Sequence, residues 1–161
     1  MLTYRQTIRH YHQLGAYNCG PVALSCIFDA SLQYLENLVE CHEHKGTFTS
    51  VAYLALKKEG VDCNLAHINS DYNNQLWSLE RSSYRWPIYL GCHFVQQGAR
   101  GRPSNRHHAL LLANGLIYDG NSHREEPIEA VRQNFNKRFI IKDAIIFNHE
   151  LPKWRVNLEF V

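Results

Sequence analysis

The stretch QLGAYNCGPVAL, residues 13–24, decides the fold of this chain. It places a thiol, Cys19, where a turn is predicted to become a helix, with the amide of Gln13 six residues upstream. Pro21 presets the backbone for a first helical turn, and Gly20 would allow a ligand to approach the backbone closely. The apolar spacing that follows indicates a helix with one buried stripe. A thiol at a helix N-terminus faces unpaired N–H groups, which favour the thiolate and therefore a nucleophilic role.

A buried structural role is the alternative for Cys19, because cysteine is among the residue types most often found in protein cores. Cys26, further along the same predicted helix, fits that structural role. Gly20 and Pro21 directly follow Cys19, and this composition is costly for a helix that only needs to pack. We therefore favour a catalytic role for Cys19.

A second stretch, HALLLANGLIYD at residues 108–119, offers a base for such a thiol. Its Asn-Gly pair between two apolar runs predicts a two-residue β-hairpin turn. That turn places His108 opposite Asn121 and diagonal to Asp119 on one face, within about 8 Å of both, so either side chain could orient the imidazole. A half-exposed histidine without a catalytic role is the alternative. Cysteine and histidine far apart in sequence but adjacent in the fold are typical of thiol hydrolases.

Several segments together resemble the papain-like cysteine peptidases, most closely the compact bacteriocin-processing type found at the front of some peptide exporters. The resemblance covers about the first 148 residues and leaves 149–161 as a C-terminal tail or an added strand of the same domain. The pieces that carry it are the 13–24 stretch, GTFTS at 46–50 leading a predicted helix that ends at Gly60, PIYL at 87–90, and the hairpin of residues 108–119.

The resemblance implies a role for each candidate site residue. Cys19 would be the nucleophile, His108 the general base and acid, and Asp119 the orienting carboxylate. Gln13 would donate a hydrogen bond to the oxyanion. The proline that usually follows the aspartate is replaced by a glycine and then Asn121, which is therefore a rival for the orienting role.

Cysteine-dependent acyl transfer on a protein or peptide is the activity that the resemblance implies, with no metal or organic cofactor. A cysteine peptidase or isopeptidase is the first expectation. A glutamine deamidase or transglutaminase would use the same Cys-His-Asp site, and a non-catalytic binding module is a third alternative. The presence of all four site residues disfavours the binding module.

A loop predicted at residues 96–106, QQGARGRPSNR, is rich in glycine and arginine and ends beside the candidate histidine. Arg100, Arg102 and Arg106 are candidates for binding a carboxylate-bearing substrate, together with Gly20 on the nucleophile segment. A solvated loop kept soluble by its charge is the alternative.

Length and composition indicate a single domain, since 161 residues with 45% hydrophobic residues suffice for one core. No window approaches the ~20 apolar residues of a membrane span, and the N-terminus lacks the apolar core of a signal peptide. A formal charge of +2 disfavours a nucleic-acid partner. Five cysteines without framework spacing favour a reduced, cytoplasmic protein, in a host cytosol if it is injected or phage-encoded.

The exporter-linked relatives carry membrane spans after the peptidase, so a chain of this length is expected to be a free-standing domain. Cys-His-Glu-His at residues 41–44 lacks the spacing of a metal site, and no metal is expected. The predicted order is helices first and antiparallel strands after, an α+β fold with the helices packed on the sheet. The predicted helices are 19–29, 31–44, 51–58, one from 70 or 71 through 79, and 126–135; the predicted strands are 61–68, 88–95, 108–113, 116–119 and 139–147.

Overall fold

A computed structural model describes residues 2–15, 17–41, 46–68, 72–95 and 103–151. Within these ranges the helices are α1 (Cys19–Ser25), α2 (Leu32–Leu38), α3 (Thr49–Lys58), α4 (Tyr72–Ser83) and α5 (Ile128–Arg138). The strands are β1 (Cys63–His67), β2 (Ile88–Val95), β3 (Pro103–Ala113), β4 (Leu116–Tyr118), β5 (Glu126–Pro127) and β6 (Phe139–Phe147). None of the helices in these ranges is long and apolar enough to cross a membrane.

The six strands form one antiparallel sheet in the order β1-β6-β2-β3-β4-β5. Helices α1 to α3 cover one face, where residues such as Leu24, Leu56 and Leu111 form one buried cluster. Helix α5 packs on the other face, where Leu110 and Phe135 belong to a second buried cluster. Leading helices on a trailing antiparallel sheet confirm the predicted α+β class.

Several helix boundaries differ from the predicted ones. Ser31, predicted as the first residue of the second helix, instead caps α2, since its side chain accepts a hydrogen bond from the Tyr34 N–H. Helix α1 ends early, because Phe28 forms a β-bridge with Tyr4 of the N-terminal segment. The residue that caps α3 is Phe48, so Thr49 belongs to the helix.

The predicted first helical turn at 126–127 is instead the short edge strand β5, which pairs with β4. Pro127 lacks an N–H and is tolerated at such an edge. Residues 152–161 of the predicted tail lie outside the described residues. Leu151, which precedes them, is buried and donates its N–H to the Arg85 carbonyl, so the described part of the tail packs on the domain.

The predicted hairpin between β3 and β4 is confirmed, with Ala113 opposite Leu116. The two turn residues, 114 and 115, both have positive φ, as a type I′ turn requires. Ser83 at the end of α4 accepts from both turn N–H groups, through its carbonyl and its hydroxyl. The β3–β4 ladder ends at Tyr118, so the chain that follows is free to leave the strand.

Gly91 in β2 allows α3 to lie directly on the sheet. A Cβ at this position would lie 2.0 Å from Thr49 Oγ1, so any other residue here would force Thr49 to shift. Thr49 is itself buried. This close approach fixes the N-terminus of α3 above the end of β2 where the candidate site lies.

Candidate active site

Cys19 is the first residue of α1 and is half-buried. The first N–H groups of a helix have no acceptor within the helix. The side chain of Asn18, which precedes α1, does not accept from them either. Gly20 is buried, and a Cβ there would meet the Tyr89 hydroxyl at 3.0 Å and Thr47 at 3.2 Å. The space beside Gly20 is therefore filled by neighbouring protein side chains. It is not open to a substrate, as the predicted substrate contact of Gly20 requires.

The other four cysteines are structural in character. All five are free, without disulfides. Burial raises the pKa of Cys26 to about 12, and burial also raises the pKa of Cys41, Cys63 and Cys92. These thiols are therefore protonated and poorly nucleophilic at neutral pH.

His108 is 4% exposed and lies on β3 beside two aromatic rings that also contact each other. The Phe139 ring is stacked on it at 5.5 Å between centroids, and the Phe94 ring lies 5.2 Å away. Its Nε2 donates a hydrogen bond to Asp119 Oδ1 at 2.8 Å, and Cys19 lies close enough to the ring to help raise its pKa. Since Nε2 is used by the carboxylate, Nδ1 is the nitrogen that remains for the thiol.

The charges of this cluster are set by two opposing effects. Burial opposes protonation of His108, but hydrogen bonds and charge from Asp119 and Cys19 outweigh it and raise the pKa of His108 to about 9. Burial alone would raise the pKa of Asp119. The hydrogen bond and charge of His108, the Asn121 N–H and the charge of Arg138 instead hold that pKa below its usual value. At neutral pH the pair is therefore an imidazolium and a carboxylate.

Of the two predicted orienting residues, Asp119 is the one in contact with the imidazole. The Asn121 backbone N–H donates to Asp119 Oδ1 at 2.9 Å, and this hydrogen bond stabilises the charged carboxylate. The residue itself is exposed and lines the cleft. The register prediction that placed Asn121 opposite His108 is not realised, because the ladder ends before it.

Gln13 is held close to this pair by the loop after β4. Its backbone N–H donates to the Gly120 carbonyl at 2.7 Å, and His10 Nε2 donates to the Asp119 carbonyl at 2.7 Å. The side-chain Nε2 of Gln13 donates to the Gly15 carbonyl at 2.6 Å, which uses one of its two hydrogens. A Cβ at Gly120 would lie 2.8 Å from the Gln13 Cβ, which explains a glycine after Asp119.

A cleft of about 630 Å³ joins these side chains. Cys19, Gln13 and His108 are among the residues that line it, as are Phe48 and His107, whose rings lie 5.1 Å apart. Further residues along it include Tyr17, Thr49, Gly91, His93, Arg106, Asn121, Lys142 and Asp143.

The predicted substrate-binding arginines are only partly described. Arg106 lies on β3, lines the cleft and places its guanidinium 4.9 Å from the centre of the Phe94 ring. Arg100 and Arg102 lie outside the described residues, as do residues 42–44 of the Cys-His-Glu-His run. No group of three or more potential metal ligands occurs in the described part of the chain.

Sequence reasoning missed the aromatic rings that enclose His108. Phe94 lies opposite Phe139 across β2 and β6, and Cys92 lies opposite His108 across β2 and β3. Alternation along β2 then places Phe94 on the same face as Cys92. The sequence predicts this contact of Phe94 and Phe139 with His108 only once the strand order is known.

Helices packed on one antiparallel sheet define an α+β domain, and a half-buried thiol lies beside its bonded imidazole and carboxylate. Among solved structures, the chain is similar to the peptidase domain of Streptococcus ComA, a bi-functional ABC transporter involved in a quorum sensing pathway. The TM-score is 0.55 at 18% sequence identity, covering 91% of this chain and 99% of that one. The likeness confirms the predicted fold. No protein-family model matches the chain, and no curated protein sequence does.

Proposed function

We propose that this protein is a cysteine peptidase or isopeptidase that cleaves a protein or peptide through a thioester at Cys19. The observation that supports this most strongly is the buried pair of His108 and Asp119, 2.8 Å apart, with Cys19 beside the same imidazole in the cleft that both residues line. An ion pair with a purely structural role does not need a half-buried thiol beside it in a cleft. We place the activity in one domain, residues 1–148.

The first half of the proposed reaction forms the acyl-enzyme. The Cys19 thiolate attacks the carbonyl carbon, and the oxygen that becomes negative accepts hydrogen bonds from the Cys19 N–H and the second hydrogen of Gln13 Nε2. Each such donor is worth about 2.7–4 kcal/mol in related chemistry. His108 then gives its Nδ1 proton to the leaving amine as the carbon–nitrogen bond breaks, which leaves a thioester on Cys19.

The second half hydrolyses the thioester. His108, now neutral, takes a proton from water as the water oxygen attacks the carbonyl carbon. The carbon–sulfur bond breaks, a carboxylic acid leaves, and the thiolate and imidazolium are restored. Asp119 accepts from Nε2 throughout, which keeps Nδ1 directed at the reacting atoms and stabilises the imidazolium.

The test compares wild-type protein with Cys19→Ala on a mixture of denatured cellular proteins, with new N-termini and peptide masses read by mass spectrometry. We expect new backbone termini with wild type and none with Cys19→Ala. Cys41→Ser is a matched control, because Cys41 Sγ donates to the Tyr17 carbonyl at 3.1 Å and a serine keeps a donor there. It should cleave like wild type.

Two results would overturn the proposal. The same new termini with Cys19→Ala would show that the thiol is not the nucleophile. Glutamine residues that gain the small mass of deamidation, or that become cross-linked to amines, without backbone cleavage would assign the site to a deamidase or transglutaminase.

A further inference from the structure

The cleft wall that lies across β2 from His108 is shaped by an irregularity in β6. Gly91 pairs with Asp143, but the next residue, Cys92, pairs with Ile141, so Lys142 is an extra residue on β6. A β-bulge of this kind re-aims a side chain and is common beside active sites. Lys142 is exposed and lines the cleft.

The charge at this end of the cleft is positive. Lys142 has no carboxylate partner among the described residues. Asp143 is the sole acidic side chain among the described residues that line the cleft, and its carboxylate accepts from His67 Nδ1 at 2.7 Å. Arg106 adds a second permanent positive charge on the neighbouring wall.

The helix above this wall adds to the same field. Helix α3 has ten residues, and its first turn, which begins with Thr49 and Ser50, lines the cleft without an acidic residue. The positive end of the helix dipole therefore faces the cleft with no side chain to neutralise it. An anionic group in the cleft would be stabilised by Lys142, Arg106 and the N-terminus of α3 together.

The distance from the thiol end follows from the sheet. His108 on β3 lies opposite Cys92 on β2, and Cys92 lies opposite Ile141 beside the bulge on β6. Two strand spacings separate His108 from the bulge, about 10 Å, which an extended peptide covers in about three residues.

We propose that Lys142, assisted by Arg106, binds the carboxylate of a substrate Asp or Glu about three residues from the scissile bond. The subsite rests on the proposed peptidase function and gives it a substrate class, acidic peptides. Neither the position of Lys142 nor the bulge was recognised from the sequence.

The experiment uses peptides that carry an electrophilic epoxide in place of the scissile bond, with residues on both sides. A single Glu is moved through four positions on each side, with Gln at the same position as its partner, and the rate of Cys19 modification is measured by intact mass. We expect the Glu peptide to react about fivefold faster than its Gln partner at one position on one side, about three residues away.

Three variants locate the effect. Lys142→Gln should remove the preference for Glu and leave the Gln peptide reacting at the wild-type rate, while Arg106→Gln should reduce the preference. Lys142→Glu should favour a Lys peptide at the same position. Lys58→Gln, a charge removed from the far end of α3, is the matched control and should keep the wild-type preference.

The outcomes separate the subsite from the reaction. Rapid modification of Cys19 with equal rates for Glu and Gln at every position, or a preference that survives in Lys142→Gln, would overturn the subsite and leave the peptidase proposal standing. Modification of Cys19 no faster than that of free glutathione with every peptide would overturn the reactive thiol, and the subsite with it.

Discussion

Replacing Asp119 with Asn tests the electrostatics of the site directly. The change keeps the shape of the side chain and removes its charge, while His108 stays buried against Phe94 and Phe139. Without the carboxylate, burial is opposed only by the contribution of Cys19, so the pKa of His108 should fall from about 9 towards its ordinary value of about 6.5.

The size of the effect follows from the linkage between proton binding and folding. A histidine whose pKa is raised in the folded protein stabilises it fully below the unfolded pKa, and that stabilisation is lost as pH rises through the folded pKa. For His108 the window runs from about pH 6.5 to 9, and the stability lost across it is about 3 kcal/mol. Asp119→Asn should reduce this loss.

Two measurements check the reasoning. Urea unfolding at intervals between pH 6 and 10 gives the free energy of unfolding, and the imidazole signals in NMR give the titration of His108. Asp143→Asn is the matched control, because Asp143 also binds a histidine at 2.7 Å but on the surface, where an ion pair contributes little. A wild-type stability that is flat from pH 6.5 to 9, or a His108 that still titrates near pH 9 in Asp119→Asn, would refute the account.

Three further predictions concern packing and reactivity. Gly91→Ala should destabilise the fold by about 1–3 kcal/mol in urea unfolding, because the new Cβ would overlap Thr49 Oγ1, and adding Thr49→Ala should restore part of the loss; equal effects in both backgrounds would contradict this. One equivalent of iodoacetamide at pH 7 should label Cys19 before the other four thiols, whose pKa values are raised by burial; peptide mapping that finds another cysteine labelled first would count against the assignment. Gly120→Ala should lower kcat on a cleaved peptide with little change in KM, because it displaces Gln13 from the oxyanion; an unchanged kcat would remove Gln13 from that role.

The parts of the site that the sequence predicted are those fixed by local chemistry. The Asn-Gly pair permits one tight hairpin turn, and that turn alone placed His108 and Asp119 on one face of neighbouring chains. Likewise, the Gly-Pro pair after Cys19 marks the start of a helix. Each of these features depends on fewer than fifteen consecutive residues.

The parts that the sequence did not predict depend on pairings between distant strands. The aromatic rings around His108 and the bulge at Lys142 require β6 to lie beside β2, and no local pattern specifies that neighbour. Asn121 was kept as a rival to Asp119 because the length of the β4 ladder was unknown. Gly120 instead accepts a hydrogen bond from the Gln13 N–H, more than a hundred residues away in sequence, so the chain leaves the strand before it reaches Asn121.

The position of β6 has a consequence for how the domain is made. It is the last strand in chain order among the described residues, yet it lies in the interior of the sheet between β1 and β2. During synthesis, β1 and β2 therefore each have an unpaired strand edge until residues 139–147 leave the ribosome. The ring of Phe139 contacts His108 only after that point. A nascent chain that ends before β6 holds the thiol and imidazole without the wall that encloses them. The order of the strands thus delays completion of the site until nearly the whole domain has been translated.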